Sequence, residues 1–138
     1  MSYDPQNPFA KILRGELPCF KLFEDDKTLA FMDIMPQSDG HALIIPKEPA
    51  VTLLDLSEES AVAVAKLTRR VAIAAQKALG CAGIQVMQLN GPIAGQTVPH
   101  IHFHVIPRYE RAELTLHAAK LGDMEKIKAL GEKIAAAL

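Results

Sequence analysis

The sequence predicts an α+β fold: a mainly antiparallel five-stranded sheet with one long central helix, a short N-terminal helix and a C-terminal helix. Three observations carry that expectation. Short apolar runs closed by Gly, Pro or Asp recur along the chain, as strands do. The stretch from Ser57 to Gly80 repeats its apolar residues at helical spacing. The strand-like runs come in groups broken by the longer helices, which is the pattern of α+β rather than of alternating βαβ units. With 138 residues, 49% of them hydrophobic and 22% charged, the chain has enough apolar mass for one compact domain spanning 1–138.

In order along the chain, "NPFAKILRGE" offers Asn7 as N-cap, Pro8 at the first helical position, apolar residues at 9, 12 and 13, and Gly15 as terminator. After Pro18, "CFKLFEDD" and "TLAFMDIMP" read as two strands of a hairpin turning at Asp25, Asp26 and Lys27, and "GHALIIP" reads as a third strand between Gly40 and Pro46. Ser57, followed by Glu58 and Glu59, caps the long helix, whose apolar face runs through 64, 67, 71, 74 or 75 and 78. "GIQVMQLN" is a fourth strand, "GPIAGQTVP" a loop, "HIHFHVIP" a fifth strand, and the tail from Asp123 is helical.

Charge and cysteine content exclude several function classes. Fifteen basic residues against sixteen acidic give a net charge of −1, and no basic stripe is present to neutralise a row of nucleic-acid phosphates. The N-terminus lacks the basic start and apolar run of a signal peptide, and no uncharged stretch reaches membrane-spanning length, so the expectation is a cytoplasmic protein with no membrane or nucleic-acid partner. Cys19 and Cys81 stand far apart in none of the paired metal or redox spacings, and are expected to be reduced and structural.

"PHIHFHVIP" places His100, His102 and His104 at alternate positions. On a strand these leave one face, with Ile101, Phe103 and Val105 on the core side, so the histidine face is expected to open onto something polar. One chemistry is metal binding, with His41 on the third strand as the nearest further ligand; no acidic residue falls between Asn90 and Arg108. The other is nucleophilic catalysis by one imidazole nitrogen, with neighbouring rings disfavouring its protonation. The loop "NGPIAGQT", from Asn90 to Thr97, adds an amide, a hydroxyl and backbone donors expected to face an anion. Gln96 and Thr97 are neutral donors that suit a phosphate better than a divalent cation. From periodicity alone Phe9, Ile12, Phe31 and Ile34 are core, and Asp33 is a turn residue before Pro36.

The stretch "GQTVPHIHFHVIPR" resembles the histidine-triad (HIT) signature, and "FAKILRGELPCFKLFEDDKTLAFMDIMPQSDGHALIIPK" is similar to the N-terminal half of the same superfamily in its Hint-like purine nucleoside phosphoramidase branch. The likeness runs from about Asn7 to Arg108 and leaves 109–138, with Tyr109, Arg111 and His117, as an extension. The resemblance implies a homodimer that binds purine nucleotides and hydrolyses the phosphorus–nitrogen bond of adenosine phosphoramidates, with no cofactor. It makes His102 the nucleophile, flanked by His100 and His104, with His41 as the fourth histidine. It gives Thr97, Asn90 and Gln96 to the phosphate and leaving group, Asp33 to the ribose hydroxyls, and Phe9, Ile12, Phe31 and Ile34 to the base.

Many bacterial relatives carry a Cys-x-x-Cys pair in the first helix that joins two histidines on a structural zinc. Asn7 and Ala10 stand there in this chain, which leaves His41 and His100 as too few ligands, so no structural zinc is expected. His104 sets the chain with the hydrolases, because the neighbouring transferase branch has glutamine at that position. Two other classes remain open on the residues: an interaction module whose bound nucleotide turns over incidentally, and a metal-dependent hydrolase built on the His-x-His-x-His row.

Overall fold

A computed structural model describes residues 2–110 and 120–138. The elements run α1 (Pro8–Leu13), β1 (Lys21–Glu24), β2 (Thr28–Met32), β3 (Ala42–Pro46), α2 (Glu58–Leu79), β4 (Gly83–Gln88), β5 (Phe103–Arg108) and α3 (Met124–Ala137), with a 3₁₀ turn at Pro92–Ala94. The five strands form one sheet in the order β1-β2-β3-β5-β4, every neighbouring pair antiparallel. The predicted α+β class, strand number and helices are therefore those observed.

Local chemistry accounts for the helix ends. The Asn7 side-chain oxygen accepts the Ala10 N–H at 2.9 Å and Pro8 follows it, which starts α1 where the sequence places it. Ser57 caps α2, with Glu58 and Glu59 in its positive first turn. At the other end Gly80, at φ 63°, closes the helix in the left-handed conformation that costs glycine least. Asp123 accepts the N–H groups of Glu125 and Lys126 and so starts α3.

The two faces of the sheet are covered differently, and this positions the site. Ala30, Met32, Ala42, Ile44 and Val105 project to one face and pack under α2 and α3. Leu29, Phe31, Leu43 and Ile45 project to the other, where Phe9, Ile12 and Leu13 of the short α1 pack against them together with Cys19 and Val98. Register places Phe31 opposite Leu43, Leu43 opposite His104, and His104 opposite Met87, so the third histidine shares the α1 face. Among the described residues no helix is long and apolar enough to cross a membrane.

The fifth strand differs from expectation: it begins at Phe103, so His100 and His102 precede it. Continuing the register from Ile44–Phe103 sets Pro46 against Ile101, and proline has no N–H to give a ladder. On the other side β4 ends at Gln88, opposite Phe103. The Ile101 N–H bonds instead to the Ala50 carbonyl at 2.9 Å, which holds the extended approach to the strand.

Candidate active site

A cavity of about 610 Å³ lies between α1 and the sheet face it covers, within the size range of small-ligand sites. Phe9, Ile12, Phe31, Ile34, Asp33, His41, Thr97, His102 and His104 all line it. Phe9 meets Phe31 edge-on at 5.4 Å between ring centres and His102 edge-on at 5.0 Å, so one aromatic ring of α1 joins the apolar wall to the histidines. Leu17, Met35 and Val98 complete much of that wall. The sequence reading missed them because each follows no strand or helix period of its own.

The histidine row is not an exposed face. His100, His102 and His104 are 0%, 5% and 4% exposed: Tyr3 and, from α1, Phe9 pack edge-on against His100, Phe9 also packs against His102, and His41 lies beside His104. Burial pushes the His100 imidazolium below the usual histidine range, with its bond to Pro46 pulling weakly the other way.

Hydrogen bonds assign the proton on each ring. His100 Nε2–H donates to the Pro46 carbonyl at 2.9 Å, and its Nδ1 accepts from the Tyr3 hydroxyl at 2.6 Å. His102 Nδ1–H donates to the His100 carbonyl at 2.8 Å, which leaves the lone pair on Nε2. His41 Nδ1 accepts the Gln37 backbone N–H at 3.0 Å, so the proton of neutral His41 is on Nε2, 2.9 Å from His104 Nδ1. His104 accepts there and carries its own proton on Nε2. Adjacent rings, 4.9 Å apart, thus present opposite characters: His102 a basic Nε2, His104 an N–H donor.

Asp33 sits at the end of β2, its Oδ1 accepting the Met35 N–H at 2.8 Å and its Oδ2 3.4 Å from His41 Nε2. Gln96 and Asn90 are not on the cavity wall. The Gln96 amide donates to the carbonyls of Val51 and Val98 and accepts the Gly91 N–H, while Asn90 accepts the Leu53 N–H and exchanges bonds with Gln88. The expected free donors of the 90–97 loop also turn inward: the N–H groups of Ala94, Gly95 and Gln96 close onto Gly91 and Pro92 carbonyls. Thr97, exposed at the cavity rim, is the loop residue that faces the site. Arg111 and His117 lie outside the described residues.

A metal does not fit this donor set. Asp33, His41 and His104 do converge, with ligand atoms within 4.8 Å of one another, a carboxylate the sequence reading had not joined to the histidines. A metal on His41 Nε2, however, requires the proton on Nδ1, where it would face the Gln37 N–H, whereas ligating histidines normally give that proton to an acceptor. His100 offers no alternative, since both its nitrogens are held by Tyr3 and Pro46. Nor is Cys19 placed as a nucleophile: it lies in the cavity wall, where burial raises its thiol pKa.

Residues 14–111 match the HIT domain family. The chain is 45% identical over 129 residues to the adenosine 5′-monophosphoramidase of Schizosaccharomyces pombe, covering 91% of this chain and 93% of that protein. It superposes with a TM-score of 0.94 and 45% identity on a Hit-like protein of Bartonella henselae involved in cell-cycle regulation and crystallised with an unknown ligand, over the whole of both chains. A zinc-bound histidine triad family protein from Mycobacterium smegmatis matches at a TM-score of 0.84 and 33% identity, over 96% of this chain and 92% of that one. On sequence and fold together, the chain belongs to the HIT domain family.

Proposed function

We propose that this protein is a purine nucleoside phosphoramidase, hydrolysing the bond between the α-phosphorus and an amine through a nucleotidyl–His102 intermediate and releasing AMP or GMP. The observation that carries the reading is the His102 tautomer: with the Nδ1 proton given to the His100 carbonyl, the neutral form of the ring lining the cavity has its lone pair on Nε2. The Schizosaccharomyces pombe relative, named as an adenosine 5′-monophosphoramidase, supports the same class of reaction.

In the first step the His102 lone pair forms the new P–N bond as the P–N bond to the amine breaks. The departing nitrogen takes one proton, delivered from solvent by way of the exposed Thr97 hydroxyl. In the second step water attacks phosphorus, the P–His102 bond breaks with its electrons returning to Nε2, and the proton released by water balances the one consumed. The His104 N–H and Thr97 hydroxyl also suit the phosphoryl oxygens, so charge is met by hydrogen bonds. Asp33 takes the ribose hydroxyls, and the Phe9, Ile12, Phe31 and Ile34 wall takes the base.

Mixing the protein with adenosine 5′-phosphoramidate and quenching early yields an adenylylated peptide covering residues 99–108, with the adduct on His102, by mass spectrometry. An adduct on His100, or turnover abolished by EDTA and restored by zinc, overturns the reading. We place the protein in the cytoplasm and read it as a homodimer. β4 is a sheet edge and its Val86 is 49% exposed, a surface that a second copy would cover. Sedimentation equilibrium is expected to return twice the 15.0 kDa chain mass.

A further inference from the structure

Three consecutive residues at the end of β5 grip three consecutive residues of the turn before His41. The Ser38 hydroxyl donates to the Pro107 carbonyl. Arg108 Nη2 donates to the Gln37 side-chain oxygen at 3.2 Å and to the Gln85 side-chain oxygen of β4 at 2.9 Å. The Tyr109 hydroxyl donates to the Asp39 carbonyl at 2.7 Å. Inside this grip the Gln37 backbone N–H meets His41 Nδ1. A peptide N–H has no acceptor capacity, so wherever it is held against a ring nitrogen that nitrogen must carry a lone pair. The consequence passes along the pair, fixing the His41 proton on Nε2 and, through the 2.9 Å bond to His104 Nδ1, the His104 proton on its own Nε2.

We propose that Arg108 and Tyr109 are positioning residues. They clamp the Gln37–Asp39 turn so that the Gln37 amide dictates the tautomers of His41 and His104, which makes His104 an N–H donor through Nε2 and keeps His41 from taking a metal. Neither residue lines the cavity. Their influence runs through the turn, and each holds it by a different bond beside that of Ser38: the guanidinium anchors the Gln37 side chain to the β4 edge, and the phenol fixes the backbone two residues on. Arg108 also joins two strands to this turn, so a small displacement of β5 or β4 reaches the His41 ring.

Long-range proton–nitrogen NMR spectra of the full chain, labelled with ¹⁵N-histidine, read the tautomers directly. In the wild type, His41 and His104 are protonated on Nε2 and His102 on Nδ1. In Arg108→Met, the His41 and His104 nitrogens average between tautomers, and zinc chloride broadens these signals at concentrations that leave the wild type unchanged. Tyr109→Phe, which removes one oxygen and leaves the ring, moves them the same way by less. On the functional reading above, kcat for adenosine 5′-phosphoramidate falls about tenfold in Arg108→Met while KM stays within about twofold, because orientation and not binding is lost.

A wild-type His41 protonated on Nδ1 overturns the proposal. So do unaltered tautomers in both variants, even with a fall in kcat, since that marks an ordinary packing role. Wild-type tautomers as described and shifted in the variants, in a protein without phosphoramidase turnover, uphold the clamp and remove the functional reading instead.

Discussion

His102→Ala is expected to lower single-turnover cleavage of adenosine 5′-phosphoramidate by on the order of 10⁴- to 10⁶-fold, the range seen when an enzyme's covalent nucleophile is deleted. Affinity for AMP, measured by calorimetry, should change by no more than about threefold, because most of the cavity wall, including its apolar side and Asp33, is built by other side chains. The ring's structural debts are small. It gives a hydrogen bond to the His100 carbonyl and makes edge contacts with Phe9 and His104, contacts of about 1–3 kcal/mol of folding stability. His104→Ala, by comparison, removes a donor but leaves the nucleophile, so an adduct on His102 still forms, more slowly. If His102→Ala retained a tenth of the wild-type rate, the covalent mechanism would be wrong, whatever the state of the flanking histidines.

Much of the frame was legible because its signals are local. Asn7 and Pro8, Ser57, Gly80 and Asp123 each act on backbone within a few residues, and all mark helix ends in the structure. Strand number and order of elements followed from apolar runs. The alternation of His100, His102 and His104 was also local, and it identified the row without saying how it is held. Burial of the row was missed because the lid is α1, whose Phe9 lies more than ninety positions from His100 in sequence.

The start of β5 was misplaced because strand pairing depends on the neighbours. Pro46, far away in sequence, is what denies Ile101 a ladder. Gln96 carried the right chemistry for a phosphate, and its conformation turns that chemistry inward onto Val51, Val98 and Gly91. The groups that set the imidazole protons left no trace in the pattern: a backbone N–H at Gln37, which any residue but proline supplies, and a hydroxyl at Tyr3 whose partner is His100.

Asp33→Ala is expected to weaken AMP binding by about 30- to 150-fold, or about 2–3 kcal/mol, the worth of charge-assisted hydrogen bonds from two ribose hydroxyls. Two other roles of the carboxylate compete for the same loss. Oδ1 holds the Met35 N–H in the turn, and Oδ2 lies 3.4 Å from His41 Nε2. A cycle separates them: AMP and 2′,3′-dideoxy-AMP are each titrated against the wild type, Asp33→Ala and Asp33→Asn. If the carboxylate binds the ribose, the wild type prefers AMP by most of that factor, and Asp33→Ala binds the two ligands alike, since substitution and missing hydroxyls delete the same contact. Asp33→Asn, which keeps an acceptor for Met35 but has lost the charge, should retain the turn and only part of the preference. Equal losses for both ligands would instead mean that Asp33 serves the turn or the His41 ring, and a kcat defect at unchanged affinity would assign it to the ring.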